Sequence, residues 1–404
     1  MECKIKSIYK MAKKAMKVNS LELTDVGGIP YLKLEKFNER MNIICGENGA
    51  GKTNILDSIA FLFTNWDFNQ IKRRAGSNYG SIKLTLDREY SEFRNTNPIH
   101  ETLNDFEPTV NNRFRTSTSF SKKNIYLTTK REFLYKKQES IVSDPDEKDY
   151  GKDVYKGIQP DNLKSWFIGR FYQSAAGNLE DQFNSNFILS KEVFSFLDPR
   201  FTFKKVDRKN EIIVNTPSGE IYFEYLSSGF KSSLLIILGI IKEIEFRFQN
   251  QLLKAKDYDG LIMIDEVELH LHPEWQGKIC NILKGIFPKA QFFITTHSPH
   301  VVQAADKDEV IALERLNGEV LRRELPNSEY GYQGWTIEEV LKDVMGMKDL
   351  RTELYDGIRK EFIEAFRLQK KEEAKHAFDK LCKMLHPTSE LKAIYQMQLE
   401  SLGE

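Results

Sequence analysis

The sequence predicts an α/β protein built on a mixed β-sheet with flanking helices, with an antiparallel lobe at its start and a helical extension at its end. Three features carry this. Leu261–Ile264 and Phe292–Thr295 are short apolar runs of the kind that fill central parallel strands buried on both faces. Between them Glu274–Phe287 has helical spacing, and alternation of strand, helix and strand implies a parallel sheet. Met41–Cys45 is a third apolar run, and it enters a glycine-rich loop followed by a helical segment, Lys52–Phe63.

Upstream of this unit, Val18–Leu34 alternates apolar and polar residues around Gly27, Gly28 and Pro30, which predicts a hairpin. Ser81–Leu86 and Tyr90–Arg94 predict two more antiparallel strands. Residues 95–160 are rich in Asn, Ser, Thr, Lys and Asp and predict a polar surface insertion with short elements. Leu163–Phe187 reads as helix, Phe201–Tyr225 as sheet with Ile212, Val214, Ile221 and Phe223 inward, and Lys231–Phe248 as helix. Val310–Leu313 and Glu319–Glu324 are expected as edge strands. From Trp335 only helices are expected. Ala374, Phe378, Leu381 and Leu385 form one stripe and, after a break at His386 and Pro387, Leu391, Ile394, Tyr395 and Leu402 form another, together a helical hairpin. The expected divisions are 1–94, a lobe carrying the glycine-rich loop; 95–160, the insertion; 161–333, the rest of the α/β head; and 334–404, the helical extension.

Composition narrows the classes. Of 404 residues, 40% are hydrophobic and 29% charged, the balance of a globular protein. The longest apolar stretch, Leu234–Ile241, is far short of the roughly 20 residues of a membrane span. Met1–Met16 is basic without the apolar stretch of a secretory signal, so a cytoplasmic protein is expected. Cys3, Cys45, Cys280 and Cys382 form no C-x-x-C pair and are expected as reduced thiols, at least two of them in the core. With 59 basic and 59 acidic residues, net charge leaves no footprint of nucleic-acid binding.

Gly46-Glu47-Asn48-Gly49-Ala50-Gly51-Lys52-Thr53 is a complete G-x-x-x-x-G-K-[ST] loop, followed by Asn54 and set between strand and helix as phosphate binding demands. Its glycines let successive N–H groups turn inward around a phosphate. Lys52 is placed to reach the β- and γ-phosphates of ATP, and Thr53 to ligate Mg²⁺. The strand Leu261–Ile264 ends in Asp265 and Glu266, which predicts Asp265 as the second Mg²⁺ group and Glu266 as general base for the attacking water. His297 ends the neighbouring strand, where it can donate to the γ-phosphate. Ser227, Ser228 and Gly229 precede the long helix and form another anion site at a helix start.

Loop, Leu-Ser-x-Gly, Asp-Glu and strand-end His in this order resemble the ABC-type ATPase head. The resemblance implies that Ser227, Ser228 and Gly229 act in trans, on the ATP held by a second head, in a homodimer or higher homo-oligomer joined through the ATP sandwich. Glu268-Leu269-His270-Leu271-His272-Pro273, with the N-terminal strand pair and Ile71-Lys72-Arg73-Arg74, is similar to the branch that contains RecF, SMC-like proteins and OLD nucleases. Glu268, His270 and His272 also admit a zinc reading, since carboxylate and imidazole are ordinary zinc ligands.

No long heptad stretch suggests a coiled-coil arm, and no acidic set after His297 suggests a TOPRIM nuclease. Asp144 and Asp146 form a D-x-D without a strand before them and read as a solvated loop. The head with its helical tail most resembles the stand-alone ATPases of bacterial anti-phage systems, the Septu (PtuA-like) family. That resemblance implies an ATP hydrolase controlling a separate nuclease or effector subunit. The alternative is a RecF/SMC-like DNA-binding ATPase in repair, with Arg73, Arg74, Lys122, Lys123, Lys130 and Arg131 as candidate phosphate contacts. A transporter ATPase is a third class, and it would require a membrane permease.

Overall fold

The computed structural model describes residues 17–63, 71–86, 99–103, 121–129, 144, 161–326, 328–347 and 350–402. The chain divides into two compact units, Met1–Gly346 and Met347–Glu404.

The first unit is organised by a six-stranded sheet in the order β13-β12-β3-β11-β10-β6. These strands are β3 (Met41–Gly46), β6 (Asn124–Leu127), β10 (Leu261–Ile264), β11 (Gln291–Thr295), β12 (Val310–Leu316) and β13 (Glu319–Arg322), all parallel save β13. Because successive side chains alternate faces, the apolar runs feed two cores. Ile43, Cys45, Ile262, Ile264, Phe292 and Ile294 pack on one face. Ile44, Leu261, Met263 and Phe293 pack on the other.

The second of these faces is covered by α1 (Lys52–Leu62) and an antiparallel sheet in the order β2-β1-β4-β5. Its strands are β1 (Val18–Val26), β2 (Ile29–Glu35), β4 (Gly80–Leu86) and β5 (Ile99–Leu103). The β1–β2 pair is the expected hairpin, and Gly27 (φ 55°) turns it where a side chain would strike Asn54. The other face is covered by α2 (Asp161–Ala175), α3 (Asp181–Leu197) and α4 (Ser228–Arg247). Between α3 and α4 lies a small antiparallel sheet, β7 (Thr202–Val206), β8 (Ile212–Thr216) and β9 (Gly219–Tyr222). Ile212, Val214 and Phe223 are buried there as expected.

Several expectations are corrected. Within the stretch read as a polar surface insertion, Asn124–Leu127 is the buried strand β6, paired in parallel with β10. Four residues in a polar run are too few to show a period. Val310–Leu313 is not at an edge: β12 lies between β3 and β13, and of these two expected edge strands β13 alone is outermost. The helix read across Leu163–Phe187 breaks after Ala175, where Gly177 turns left-handed (φ 69°). Glu274–Phe287 is likewise two helices, α5 (Pro273–Gln276) and α6 (Ile279–Ile286). The expected strand Tyr90–Arg94 lies outside the described residues, as do Met1–Met16 and Cys3. Cys45 and Cys280 are buried free thiols, each pushed up to about 12 by burial.

Among the described residues, the second unit holds the two expected helices, α9 (Lys371–Met384) and α10 (Glu390–Ser401), preceded by a further helix, α8 (Glu353–Arg367), while α7 (Pro299–Gln303) belongs to the first unit. Phe362, Ala374, Leu381, Tyr395 and Leu402 close its core. Ile394, expected in the apolar stripe, is 48% exposed. Among the described residues no helix is long and apolar enough to cross a membrane.

Candidate active site at the strand ends

Parallel strands bring their carboxyl ends to one edge of a sheet, which is where open α/β folds place ligands. Here β3, β11 and β10 are adjacent in that order, so Gly46, the Thr295–His297 segment and Asp265 meet although they are far apart in sequence.

The loop leaving β3 is held in a shape that demands its glycines. Gly46 has φ 133°, and a Cβ there would lie 2.1 Å from the carbonyl oxygen of Leu313 on β12. Gly51 has φ 88° and would meet Ile29 of the hairpin at 2.8 Å. Ala50 is buried in the core, Glu47 half-buried, and Asn48, Gly49 and Thr53 exposed. Asn54 lies over Gly27. With Gly51 at its N-cap, α1 has no side-chain cap, so the amides of its first turn face outward uncapped. Arg315 braces the loop from β12, donating to the carbonyls of Gly49 (3.0 Å) and Gly28 (2.9 Å). This brace was not legible in the sequence.

Lys52 is buried, and its Nζ donates to the carbonyls of Gly46 and Glu47, each at 3.0 Å. Burial holds its ammonium below the usual lysine range, opposed by the negative charges of Glu268, Glu266 and Asp265. The next residue, Thr53, donates from Oγ1 to the Asp265 carboxylate (3.1 and 3.2 Å). Asp265 is 4% exposed and also accepts from Thr295 Oγ1 at 2.6 Å. Thr295 Oγ1 in turn accepts from the Glu266 amide at 2.7 Å. Glu266 is half-buried with φ 49°, a turn into the left-handed region that lifts it off the strand line next to Asp265.

A hydroxyl and a carboxylate converging at this distance are hard oxygen donors. They fit a Mg²⁺ that arrives with substrate phosphates, held by one carboxylate and one hydroxyl. Among the described residues no group of three or more His, Cys, Asp or Glu side chains is placed to hold a metal. The alternative zinc set does not converge. Both Glu268 oxygens are taken, Oε1 by the His297 amide (2.6 Å) and Oε2 by Thr296 Oγ1 (2.8 Å), and His272 Nδ1 accepts from the Glu274 amide. His297 itself is exposed.

Behind the loop, the Tyr126 hydroxyl donates to Asp57 on α1 at 2.9 Å. Burial, with Asp265 nearby, lifts Asp57 from 3.8 to about 6. Neither partner was picked out from sequence, because the pair joins α1 to β6.

Ser227, Ser228 and Gly229 are not brought into this hydrogen-bonded cluster. Ser227 caps α4, its Oγ accepting from the Phe230 amide at 3.3 Å, and both serines are exposed. Gly229 is buried against the backbone of His270–His272, where a Cβ would lie 3.2 Å from the His272 nitrogen. The segment Asp265–Pro273 thus runs from the loop side to the serine side.

The candidate nucleic-acid residues are mostly engaged. Lys123 pairs with Asp259 (2.8 Å), Arg74 faces Asp25 at 3.6 Å, and Arg73 donates to the Ser77 carbonyl. Lys130 and Arg131 lie outside the described residues. Asp144 pairs with Arg170 at 2.6 Å, and Asp146 also lies outside.

Comparison with known proteins places this geometry. Residues 41–303 match the family described as "AAA domain, putative AbiEii toxin, Type IV TA system". The Septu protein PtuA of Bacillus thuringiensis is 42% identical over 397 residues, which cover 96% of this chain and 98% of that protein. This chain belongs to the PtuA family. The Escherichia coli protein named "Retron Ec83 probable ATPase" is 28% identical to this PtuA-family chain over 48% of the chain and 38% of its own length. Among solved structures, an SMC head bound to the C-terminal winged-helix domain of ScpA superposes with a TM-score of 0.50. It has 16% identity and covers 76% of this chain and 98% of that one, so the PtuA-family chain has the SMC-head fold.

Proposed function

We propose that this chain hydrolyses Mg–ATP at a site shared by two copies, and that the resulting assembly state regulates a separate nuclease or effector subunit in anti-phage defence. The observation that carries the ATPase reading is the contact of Thr53 with Asp265, which joins the glycine-rich loop to the end of β10 beside the β11 end that carries His297.

In this reading the loop amides and Lys52 hold the β- and γ-phosphates. Thr53 and Asp265 hold Mg²⁺, which when bound neutralises charge on the phosphate oxygens. Glu266 takes a proton from the water that attacks the γ-phosphorus as the bond to the ADP oxygen breaks, and His297 donates to the γ-phosphate. Ser227, Ser228 and Gly229 close on the nucleotide of the other copy. The exposure of Ser227 and Ser228 in one chain supports this. The defence reading is supported by the Septu and retron relatives, and the repair-clamp alternative loses support from the pairing of Lys123 and Arg74.

Glu266→Gln removes the base while leaving the phosphate contacts. It should bind ATP and accumulate as an ATP-dependent dimer, by light scattering, with hydrolysis reduced by at least about 10²-fold. Normal turnover in this variant would show that Glu266 is not the base, and a monomer at saturating Mg–ATP would remove the shared site.

A further inference from the structure

We propose that Glu268 is a positioning residue that sets His297 for its contact with the γ-phosphate. This rests on the reading of His297 given above. The His297 ring accepts or donates no hydrogen bond among the described residues and is exposed, so its place is fixed only through its backbone.

That backbone is bracketed by one carboxylate. Glu268 Oε1 accepts from the His297 amide at 2.6 Å, and Oε2 accepts from Thr296 Oγ1 at 2.8 Å. The oxygen of the same Thr296 hydroxyl accepts from the Ser298 amide at 3.0 Å. Two consecutive residues, Thr296 and His297, are therefore held by a single side chain through short, charge-assisted bonds, and Ser298 follows through the Thr296 hydroxyl.

Glu268 is itself rigidly placed with respect to the base. The Leu269 amide donates to the Glu266 carbonyl at 2.9 Å and the Leu271 amide to the Glu268 carbonyl at 2.8 Å, closing tight turns directly after Asp265. The Glu266 segment is tied to the end of β11 by the Val267 amide on the Thr295 carbonyl (3.1 Å), and the Glu268 side chain crosses beyond that tie to the His297 amide itself. Removing that side chain leaves the β10–β11 ladder, the bond of the Thr296 amide to the Ile44 carbonyl (3.0 Å) and that of Ser298 Oγ to Gln276 (2.6 Å) intact, and frees the His297 amide and the Thr296 hydroxyl between those two anchors.

The test is a double-mutant cycle on ATP hydrolysis by the full chain at saturating Mg–ATP, using Glu268→Ala, His297→Ala and the pair. Glu268→Ala should lower kcat about 10²-fold, the scale of a ~1 Å misplacement, with KM and the affinity for a fluorescent ATP analogue unchanged. The pair should be no slower than His297→Ala alone, since residues acting through one another are not additive. Glu268→Gln, which keeps one acceptor oxygen, should recover part of the rate.

A normal kcat for Glu268→Ala beside a slowed His297→Ala overturns the assignment of Glu268 alone. Multiplicative losses in the pair do the same. A silent His297→Ala overturns the role of His297 and this assignment with it. Should Glu268→Ala not fold, the cycle is run with Glu268→Gln: an effect that vanishes in the His297→Ala background supports the proposal, and one that persists overturns it.

Discussion

Two helices of this molecule begin in opposite ways. At the start of α1, Gly51 leaves the first-turn amides without a side-chain cap, and buried Lys52 and the glycine-bound loop converge on the same space. At the start of α4, Ser227 satisfies the Phe230 amide with its own hydroxyl, and Ser227 and Ser228 stand exposed. Both ends carry the positive pole of a helix dipole. Around the first, the loop and Lys52 come from the same chain, whereas the second presents two exposed serines that, among the described residues, share no hydrogen bond with the strand-end cluster. The contrast fits a site divided between copies.

The largest expected effect tests that division directly. Lys52→Ala should weaken nucleotide binding by about 10²-fold or more, as expected for loss of a buried charge-assisted contact, read by fluorescent-nucleotide titration. Ser228→Arg, at an exposed position, should leave nucleotide binding by the isolated chain unchanged and abolish hydrolysis. Mixing the two inactive variants should restore activity, because one of the two sites in a mixed pair is then intact. Absence of recovery would place both helix starts in the same chain's site.

A smaller effect sharpens what lies behind α1. Asp57 is raised in the folded state to about 6 from 3.8 by burial, with the charge of Asp265 adding to the shift and the Tyr126 hydrogen bond opposing it. The folded value exceeds the unfolded one, so this group's stabilisation is complete below pH 3.8 and is lost as the pH rises through 6. Wild-type stability should therefore fall between these limits by up to ~3 kcal/mol relative to Asp57→Asn, which has no charge to bury. Parallel melting curves for the two proteins across that range would refute this assignment.

The smallest effect belongs to α4. Ser227→Ala removes a helix cap and should cost about 1 kcal/mol of unfolding free energy, with nucleotide affinity of the isolated chain unchanged. An affinity loss as large as that of Lys52→Ala would erase the distinction between the two helix starts.

What could be read in advance divides along the same line. The loop Gly46–Thr53, the Asp265–Glu266 pair and the strands that carry them are contiguous, and their chemistry follows from residue order. Glu268 is a different case. It stands in the sequence as one carboxylate beside two histidines, and only the crossing to Thr296 and His297 gives it work. Arg315 reaches the loop across 266 residues, and Tyr126 reaches Asp57 from a strand too short to show a period.

The sequence by itself determined the class of this protein: local backbone permissiveness at the glycines, apolar runs with one hydrophilic end and a lysine at a helix start can make a phosphate site wherever they occur together. Tertiary structure alone decided the wiring. Parallel pairing set β3, β11 and β10 side by side, so that Thr53, Thr295 and Asp265 could share hydrogen bonds, while Gly229 was packed on the far end of the Asp265–Pro273 segment. Such contacts depend on strand order, which no single stretch of residues encodes.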